Sequence, residues 1–448
     1  MKKTLLILSL LFVQFTVFSQ TESDRDKRLK WWTEARFGMF IHFGTYAIPA
    51  RGEWVKSVEK IPNEQYIKYF EQFNPYLFDA KEWARTAKQA GMKYVVLTAK
   101  HHEGFALWDT KLSDYKITNT PFKRDLIKEY VEALRAEGIK VGLYFSIIDW
   151  YHPDYPKYKD PHHPMSGVEK YKDEKTNWDN YLKFMHGQVR ELCTNYGQID
   201  VMWFDFSYGE MKGEKWKAKE LVQMVRSLQP NIILNNRLLG DGATAFDENS
   251  LGDFETPEQA VPDSMRVDAK GKMIPWESCL TLNNSWGYNR YDNNWKSTQL
   301  VIHTLVNCVS KGGNLLLNVG PDANGKIPAK SLEILGEVGN WMQRNGNSIY
   351  GCGPSKFPNQ NWGVFTQKGK LLYAHKMYPT IGPIKMKNYF DKVKRVNLLR
   401  DGSQVMPGDK FWGEPDATNI LYINLEKPAY LTYPMPDKDD TVFEIELK

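Results

Sequence analysis

The stretch IDVMWFDFSYG, Ile199 to Gly209, sets one carboxylate, Asp205, at the end of a run of large apolar side chains. Ile199, Val201, Met202, Trp203 and Phe204 read as a buried strand of a parallel sheet. A lone carboxylate beside that much apolar surface is costly unless it is paired or hydrogen-bonded. Asp205 therefore either caps the next element or does chemistry. Which of the two holds depends on whether the other strands of the chain end in the same way.

On both sides of this stretch, short β-prone runs alternate with longer segments of helical periodicity, the pattern of a parallel α/β fold. Upstream lie FGMFIHFG (Phe37 to Gly44), YVVLTAK (Tyr94 to Lys100) and KVGLYFS (Lys140 to Ser146). They are separated by helical segments near residue 79, from Asp125 to a stop at Gly138, and from about Asn177 to Tyr196. Downstream, NIILNNR (Asn231 to Arg237) is the fifth strand, NSLGDFETPE near residue 254 and WESCLTLNN near residue 280 are irregular sixth and seventh strands, and NLLLNVGP from Asn314 is the eighth. The helices STQLVIHTLVNCVSKGG and SLEILGEVGNWMQRNG flank that last strand. Eight strands with interleaved helices predict a (β/α)8-like barrel over residues 20–350. Beyond Gly351, Gly, Pro and Asn punctuate short alternating runs such as WGVFTQKGKLLYAHKM and NILYINL, which predicts a C-terminal antiparallel β-sandwich over residues 351–448.

The first residues, MKKTLLILSLLFVQFTVFSQ, carry Lys2 and Lys3, an apolar stretch broken by Gln14 and Thr16, and modest side chains at Val17 and Ser19. That is a signal-peptide pattern over residues 1–19, with cleavage before Gln20 and export to the periplasm or the medium. The stretch is too short and polar to span a membrane comfortably, so no stable insertion is expected after cleavage. Without the two leader lysines the formal charge falls from +5 to +3, which gives no electrostatic case for a nucleic-acid partner. Four scattered cysteines, Cys193, Cys279, Cys308 and Cys352, show no CxxC spacing, and sequence does not say whether any of them pair.

In a barrel, polar residues at the C-terminal strand ends converge on the face where such enzymes work. Here the strand ends deliver His42, His101 and His102, Tyr144 and Ser146, Asp205, Arg237, then Glu255, Glu258 and Glu277. Adjacent His101 and His102 make poor chelators, because neighbours on a strand point to opposite faces, so no metal and no cofactor is expected. The loop pair Glu53 and Trp54 reads either as a salt bridge beside a packed indole or as a sugar contact. The chain has 15 Trp, 24 Tyr and 22 Phe, many beside polar residues, which suits a sugar cleft and also suits an ordinary core. Paired carboxylates in an aromatic cleft are what glycoside hydrolysis needs. Asp205 suits the anionic role, with Arg237 and the nearby histidines favouring its charge, while Glu255, Glu258 and Glu277 are all candidates for the proton donor.

The segments FGMFIHFGTY, GEW, KHHEGFALWDT, WFD, NNR, GDFETPE, WESC followed by SWGYN, and GGNLLLNVGP run in this order from about Trp31 to Gly351. Together they resemble the α-L-fucosidases of glycoside hydrolase family 29. The resemblance implies a retaining double displacement on a (β/α)8-like barrel with a C-terminal β-sandwich, needing no metal, and a fucosylated oligosaccharide or glycoconjugate as substrate. It implies Asp205 as nucleophile and favours Glu258 over Glu277 as acid/base. It also implies His42, Glu53, Trp54, His101, His102, Tyr144, Trp203 and Arg237 as fucose contacts, with Phe145 a rival of Tyr144 for the inward position. An apolar pocket for the C6 methyl is expected from Trp203 and Trp286. The rival readings are a retaining hydrolase of a related sugar such as an α-L-galactoside, a non-catalytic exported glycan-binding protein, and a metallohydrolase using His101 and His102. The linkage preference is not legible.

Overall fold

The computed structural model describes residues 22–240, 251–406, 419–425 and 432–448. The leader expected over residues 1–19 lies outside them. Seven strands form one parallel sheet: β1 Phe37–Ile41, β2 Tyr94–Lys100, β3 Lys140–Ser146, β4 Val201–Asp205, β5 Ile233–Leu234, β6 Glu277–Thr281 and β7 Asn314–Val319. Their order is β5-β4-β3-β2-β1-β7-β6, so the sheet runs out in both directions from β1.

The expected sixth strand does not form a ladder. Its segment instead joins the two sheet edges through single parallel bridges, Asn235 to Phe254 on the β5 side, and Glu255 to Trp276 and Glu258 to Cys279 on the β6 side. Two causes are visible. Pro257 has no N–H to donate, and Asp253 spends its buried carboxylate on Arg28, Arg226 and the Leu234 amide. The expected seventh and eighth strands are β6 and β7, and the bridging segment closes the (β/α)8-like barrel.

Alternation along the strands divides the core in two. One set of side chains, including Phe40, Val96, Tyr144, Val201, Trp203, Phe254 and Leu316, fills the barrel interior. The other, including Met39, Leu97, Phe145, Met202, Phe204 and Leu317, packs against the surrounding helices. Tyr144 thus takes the inward position and Phe145 the outward one. Along β4 the inward residues are Val201, Trp203 and Asp205, so the carboxylate is the last inward side chain of its stave.

The helices are α1 Glu22–Ala35, α2 Val55–Val58, α3 Asn63–Glu71, α4 Ala80–Gln89, α5 Leu126–Ala136, α6 Trp178–Asn195, α7 Ala218–Leu228, α8 Thr298–Ser310 and α9 Ala329–Asn345. Four begin at side-chain caps: Asp79 accepts from the amides of Lys81 and Glu82, Asp125 from Lys128, Asn177 from Asn180 and Ser297 from Leu300. Each such cap is worth about 1 kcal/mol. Helix α1 puts Leu29, Trp32 and Ala35 into the interior cluster and plugs the barrel end opposite Asp205.

From residue 353 the pairing turns antiparallel. Strands β8 Gly353–Pro354, β9 Gly363–Lys368, β10 Leu371–Lys376, β11 Ile384–Lys387, β12 Val393–Leu398, β13 Ile420–Ile423 and β14 Thr441–Leu447 make a five-stranded sheet, β12-β14-β10-β9-β8, and a two-stranded one, β11-β13. The two enclose their own apolar core around Trp362, Phe365, Leu421 and Phe443, the predicted sandwich. A buried run, Thr366–His375–Asp440, clasps it to the barrel. His375 bonds Asp440 at 2.7 Å and Thr366 at 3.0 Å, and the Thr366 hydroxyl donates to the Ser348 carbonyl at 2.7 Å. All four cysteines are buried and free. Among the described residues no helix is long and apolar enough to cross a membrane.

Candidate active site

Asp205 closes β4 at the barrel mouth, and every polar atom it reaches comes from a neighbouring stave. The Tyr144 hydroxyl on β3 donates to Oδ2 at 2.7 Å, and Arg237 Nη1, just past β5, donates to Oδ1 at 2.8 Å. The same guanidinium gives Nη2 to Glu258 Oε2 at 2.7 Å and Nε to the Thr256 hydroxyl at 2.8 Å. Its plane lies over the Trp203 indole, 4.5 Å from the ring centroid. Burial alone would lower the pKa of Arg237, but the charges of Asp205 and Glu258 outweigh it and raise the value, so the group is a fixed cation. Burial, and then the Asp205 charge, hold the Tyr144 phenol well above its ordinary value, which keeps it a donor.

The three carboxylates that sequence left open as proton donors separate by position. Glu258 shares the guanidinium with Asp205, and its side chain is 43% exposed, open to a departing group. Glu255 is buried and ion-paired with Arg266. Glu277 opens β6 at the far end of that strand, sunk under the Trp203 indole, whose Nε1 donates to it at 3.3 Å. The Tyr94 hydroxyl donates to its other oxygen.

Burial raises Glu277 to about 7, against the pull of those two hydrogen bonds. The folded protein therefore binds this proton more tightly than the unfolded chain. The resulting stabilisation, on the order of 3 kcal/mol, is complete below about pH 4.5 and is lost as pH rises through about 7. The melting temperature of the wild type minus that of Glu277→Gln should accordingly fall between pH 4.5 and 8. A flat difference would contradict the assignment.

The histidines correct two expectations. His101 and His102 do not point to opposite faces: both follow the end of β2, where strand alternation has ceased, and their ring centroids are 3.9 Å apart. Nor do His42 and His102 add positive charge beside Asp205, because burial and the neighbouring His101 hold both well below the usual imidazole value. They act as neutral rings whose proton is placed by the hydrogen bond at Nδ1. His42 Nδ1 faces Asn318 Oδ1 at 2.7 Å, and the Asn318 amide is oriented by donating to the Trp286 carbonyl at 2.7 Å. His102 Nδ1 lies 2.8 Å from Ser146 Oγ, whose own proton goes to the Ile148 carbonyl at 2.9 Å. In both rings the proton sits on Nδ1, and Nε2 is an acceptor.

Glu53 is buried and accepts from the Gly287 amide at 2.8 Å rather than from a loop cation. Trp54 packs edge-on to His102 and Trp150, and Trp286 tilts over His42 at 5.0 Å. Phe206, directly after Asp205, holds a left-handed φ of 83°, a strained conformation that turns its ring back onto Trp54, His102 and His162. The expected site residues thus gather at the mouth except Glu277, which lies beneath it, and Glu255, which is buried against Arg266 at the level where β6 begins.

Supporting residues that sequence reading missed are Asn318, Thr256 and Phe206, while Ser146, expected at a strand end, supports His102. Asn318 carried a signal, a polar residue two positions after inward Leu316 in an apolar strand. The site opens into a cleft of about 500 Å³ bordered by Asp205, Phe206, Tyr208, Arg237, Glu258 and His162. A larger groove of about 680 Å³ lies on the sandwich, with no Asp, Glu or His among its described lining residues. Among the described residues no cluster of three His, Cys, Asp or Glu side chains has metal-holding geometry.

Comparison with known proteins identifies the family. Residues 13–347 match the profile of the family described as Alpha-L-fucosidase. Alpha-L-fucosidase isoenzyme 1 from Paenibacillus thiaminolyticus superposes with a TM-score of 0.91 at 53% identity, over 95% of this chain and 100% of that one. An alpha-L-fucosidase from Bacteroides thetaiotaomicron, solved as a trapped covalent intermediate with 2-fluoro-fucosyl fluoride in a glutamate-to-glutamine variant, aligns at 32% identity. Its TM-score is 0.81, over 94% and 96% of the two chains. The Alpha-L-fucosidase of Dictyostelium discoideum is 31% identical over 365 residues, 75% of this chain and 74% of the relative.

Proposed function

The chain belongs to the α-L-fucosidases of glycoside hydrolase family 29, and on that footing we propose that Asp205 is the nucleophile and Glu258 the acid/base of a retaining hydrolysis. The observation that carries the assignment is the shared guanidinium: Asp205 and Glu258 sit 2.8 and 2.7 Å from the two terminal nitrogens of Arg237. Two carboxylates bridged in this way suit the short separation of retaining enzymes, about 5–5.5 Å, rather than the about 6.5–9.5 Å that leaves room for water in inverting ones.

In the first step Asp205 attacks the anomeric carbon of an α-linked fucose while Glu258 gives its proton to the departing oxygen. The aglycone leaves as an alcohol, and a fucosyl ester remains on Asp205. Water then attacks that ester from the opposite face, giving its proton to Glu258 and restoring Asp205. One negative charge passes from Asp205 to Glu258 and back during the cycle, always against Arg237, so the cation need not move.

Fucose is placed among His42, Glu53, Trp54, His101, His102, Tyr144, Trp203, Arg237 and Trp286, with its methyl toward the Trp203 and Trp286 rings. NMR of the first-formed sugar should show α-L-fucose. Initial appearance of the β anomer would overturn the retaining assignment. Export is proposed from the leader pattern of residues 1–19 and predicts a mature chain beginning at Gln20. N-terminal sequencing of the secreted or periplasmic protein would show this, and an intact Met1 there would contradict it.

A further inference from the structure

Around His101 lies a set of buried polar groups that the mechanism does not use. Glu103, two residues along the chain, is 1% exposed, and neither of its carboxylate oxygens has a hydrogen-bond partner. The His101 Nδ1 is likewise buried without a hydrogen-bond partner, and the Lys56 ammonium, buried too, lies over the Tyr66 ring at 4.8 Å. Glu103 Oε2 stands 3.6 Å from His101 Nδ1, within ion-pair range and just beyond hydrogen-bond range, a separation that a small side-chain shift closes.

The space is reserved for the carboxylate. A Cβ on Gly44, an extended residue, would lie 2.5 Å from Glu103 Oε1, so any larger side chain there would displace it. Lys56 supplies the opposite charge. Burial brings its ammonium down to about 8, while Glu103 and then Asp149 favour the charged form.

The other two histidines of the site show what this carboxylate does. His42 and His102 each turn Nδ1 to a fixed acceptor, Asn318 Oδ1 and Ser146 Oγ, and thereby present Nε2 as a lone pair. Glu103 Oε2 faces the third ring at the same nitrogen, Nδ1, where an acceptor oxygen sets the tautomer of the other two. We infer that Glu103 is a positioning residue that holds the His101 proton on Nδ1, completing three like-oriented imidazole acceptors for the ring hydroxyls of the sugar. The inference rests on the fucosidase reading for its substrate and on the buried cluster alone for its tautomer.

Two measurements test it. Nitrogen-15 NMR of the wild-type protein, with the His101 signal assigned by its loss in His101→Gln, should show the Nδ1–H tautomer of His101, with Nε2 carrying no proton. A proton on Nε2 would overturn the inference whether or not the sugar assignment stands, and this arm needs no folded Glu103 variant. In the kinetic arm, Glu103→Gln should lower kcat/KM by about 10- to 100-fold, the usual effect of losing a carboxylate that orients a functional histidine. In wild type, removing one particular ring hydroxyl from an aryl fucoside should lower kcat/KM more than about tenfold. The same removal should cost Glu103→Gln less than about threefold. A merely structural role would leave all the deoxy penalties unchanged, and that result would also overturn the inference.

Discussion

Asp205→Ala is expected to lower kcat toward an aryl α-L-fucoside by about 10⁴-fold or more, the scale on which removing a covalent nucleophile acts. The loss belongs to chemistry and not to folding. Asp205 lies at the end of its stave with its side chain 13% exposed, and in its absence Arg237 keeps Glu258, the Thr256 hydroxyl and the Trp203 face. The melting temperature should therefore stay within a few degrees of wild type. Added azide can occupy the volume of the lost carboxylate and attack the anomeric carbon from its side. The product is then β-L-fucosyl azide, inverted relative to the substrate. Wild-type turnover in the alanine variant, or rescue that yields only the α azide, would remove Asp205 from the role assigned to it.

The second large effect separates the two glutamates. Glu258→Ala should lose about 10²- to 10⁴-fold with a poor leaving group, the range of general acid catalysis, and far less with a dinitrophenyl leaving group, which needs no proton. The ester on Asp205 still forms, so azide should intercept it from the open face and give α-L-fucosyl azide. Glu277→Ala should give no azide adduct at all. Its carboxylate lies under the Trp203 indole, between Tyr94 and Trp203, with no path to the anomeric carbon. The loss there should follow disturbance of Trp203, whose face carries Arg237 and whose ring stacks on Tyr144 at 5.6 Å. An α azide from Glu277→Ala and none from Glu258→Ala would reverse the assignment.

The fold was legible in sequence wherever burial dictates residue type. β1 to β4 and β7 are near-continuous apolar runs because both faces of a barrel strand are covered. The sixth stave was overread because GDFETPE has a strand's position and polarity without its pairing. Pro257 cannot donate, and Asp253 is drawn to Arg28 and Arg226, so only single bridges form.

Among site residues, Asp205 and Arg237 were legible from their positions at strand ends. The resemblance favoured Glu258 over Glu277; the structure puts Glu258 on Arg237 at the mouth and Glu277 at the opposite end of β6, a difference of height in the barrel that the residue pattern does not show. The histidines misled in charge and direction. Their neutrality comes from burial, and their orientation from Asn318 and Ser146 on other strands, which no local pattern reveals. Glu103 was visible in KHHEGF without a role, since the charged group that influences it, Lys56, comes from α2, far away in the chain.

The most direct test of the account is to trap the wild-type protein with 2-fluoro-fucosyl fluoride, digest it and sequence the labelled peptide. The label should sit on the carboxylate of Asp205, within VMWFDF, and should fail to form in Asp205→Ala. Stoichiometric labelling of any other side chain, or complete turnover of the reagent with no covalent adduct, would contradict the account.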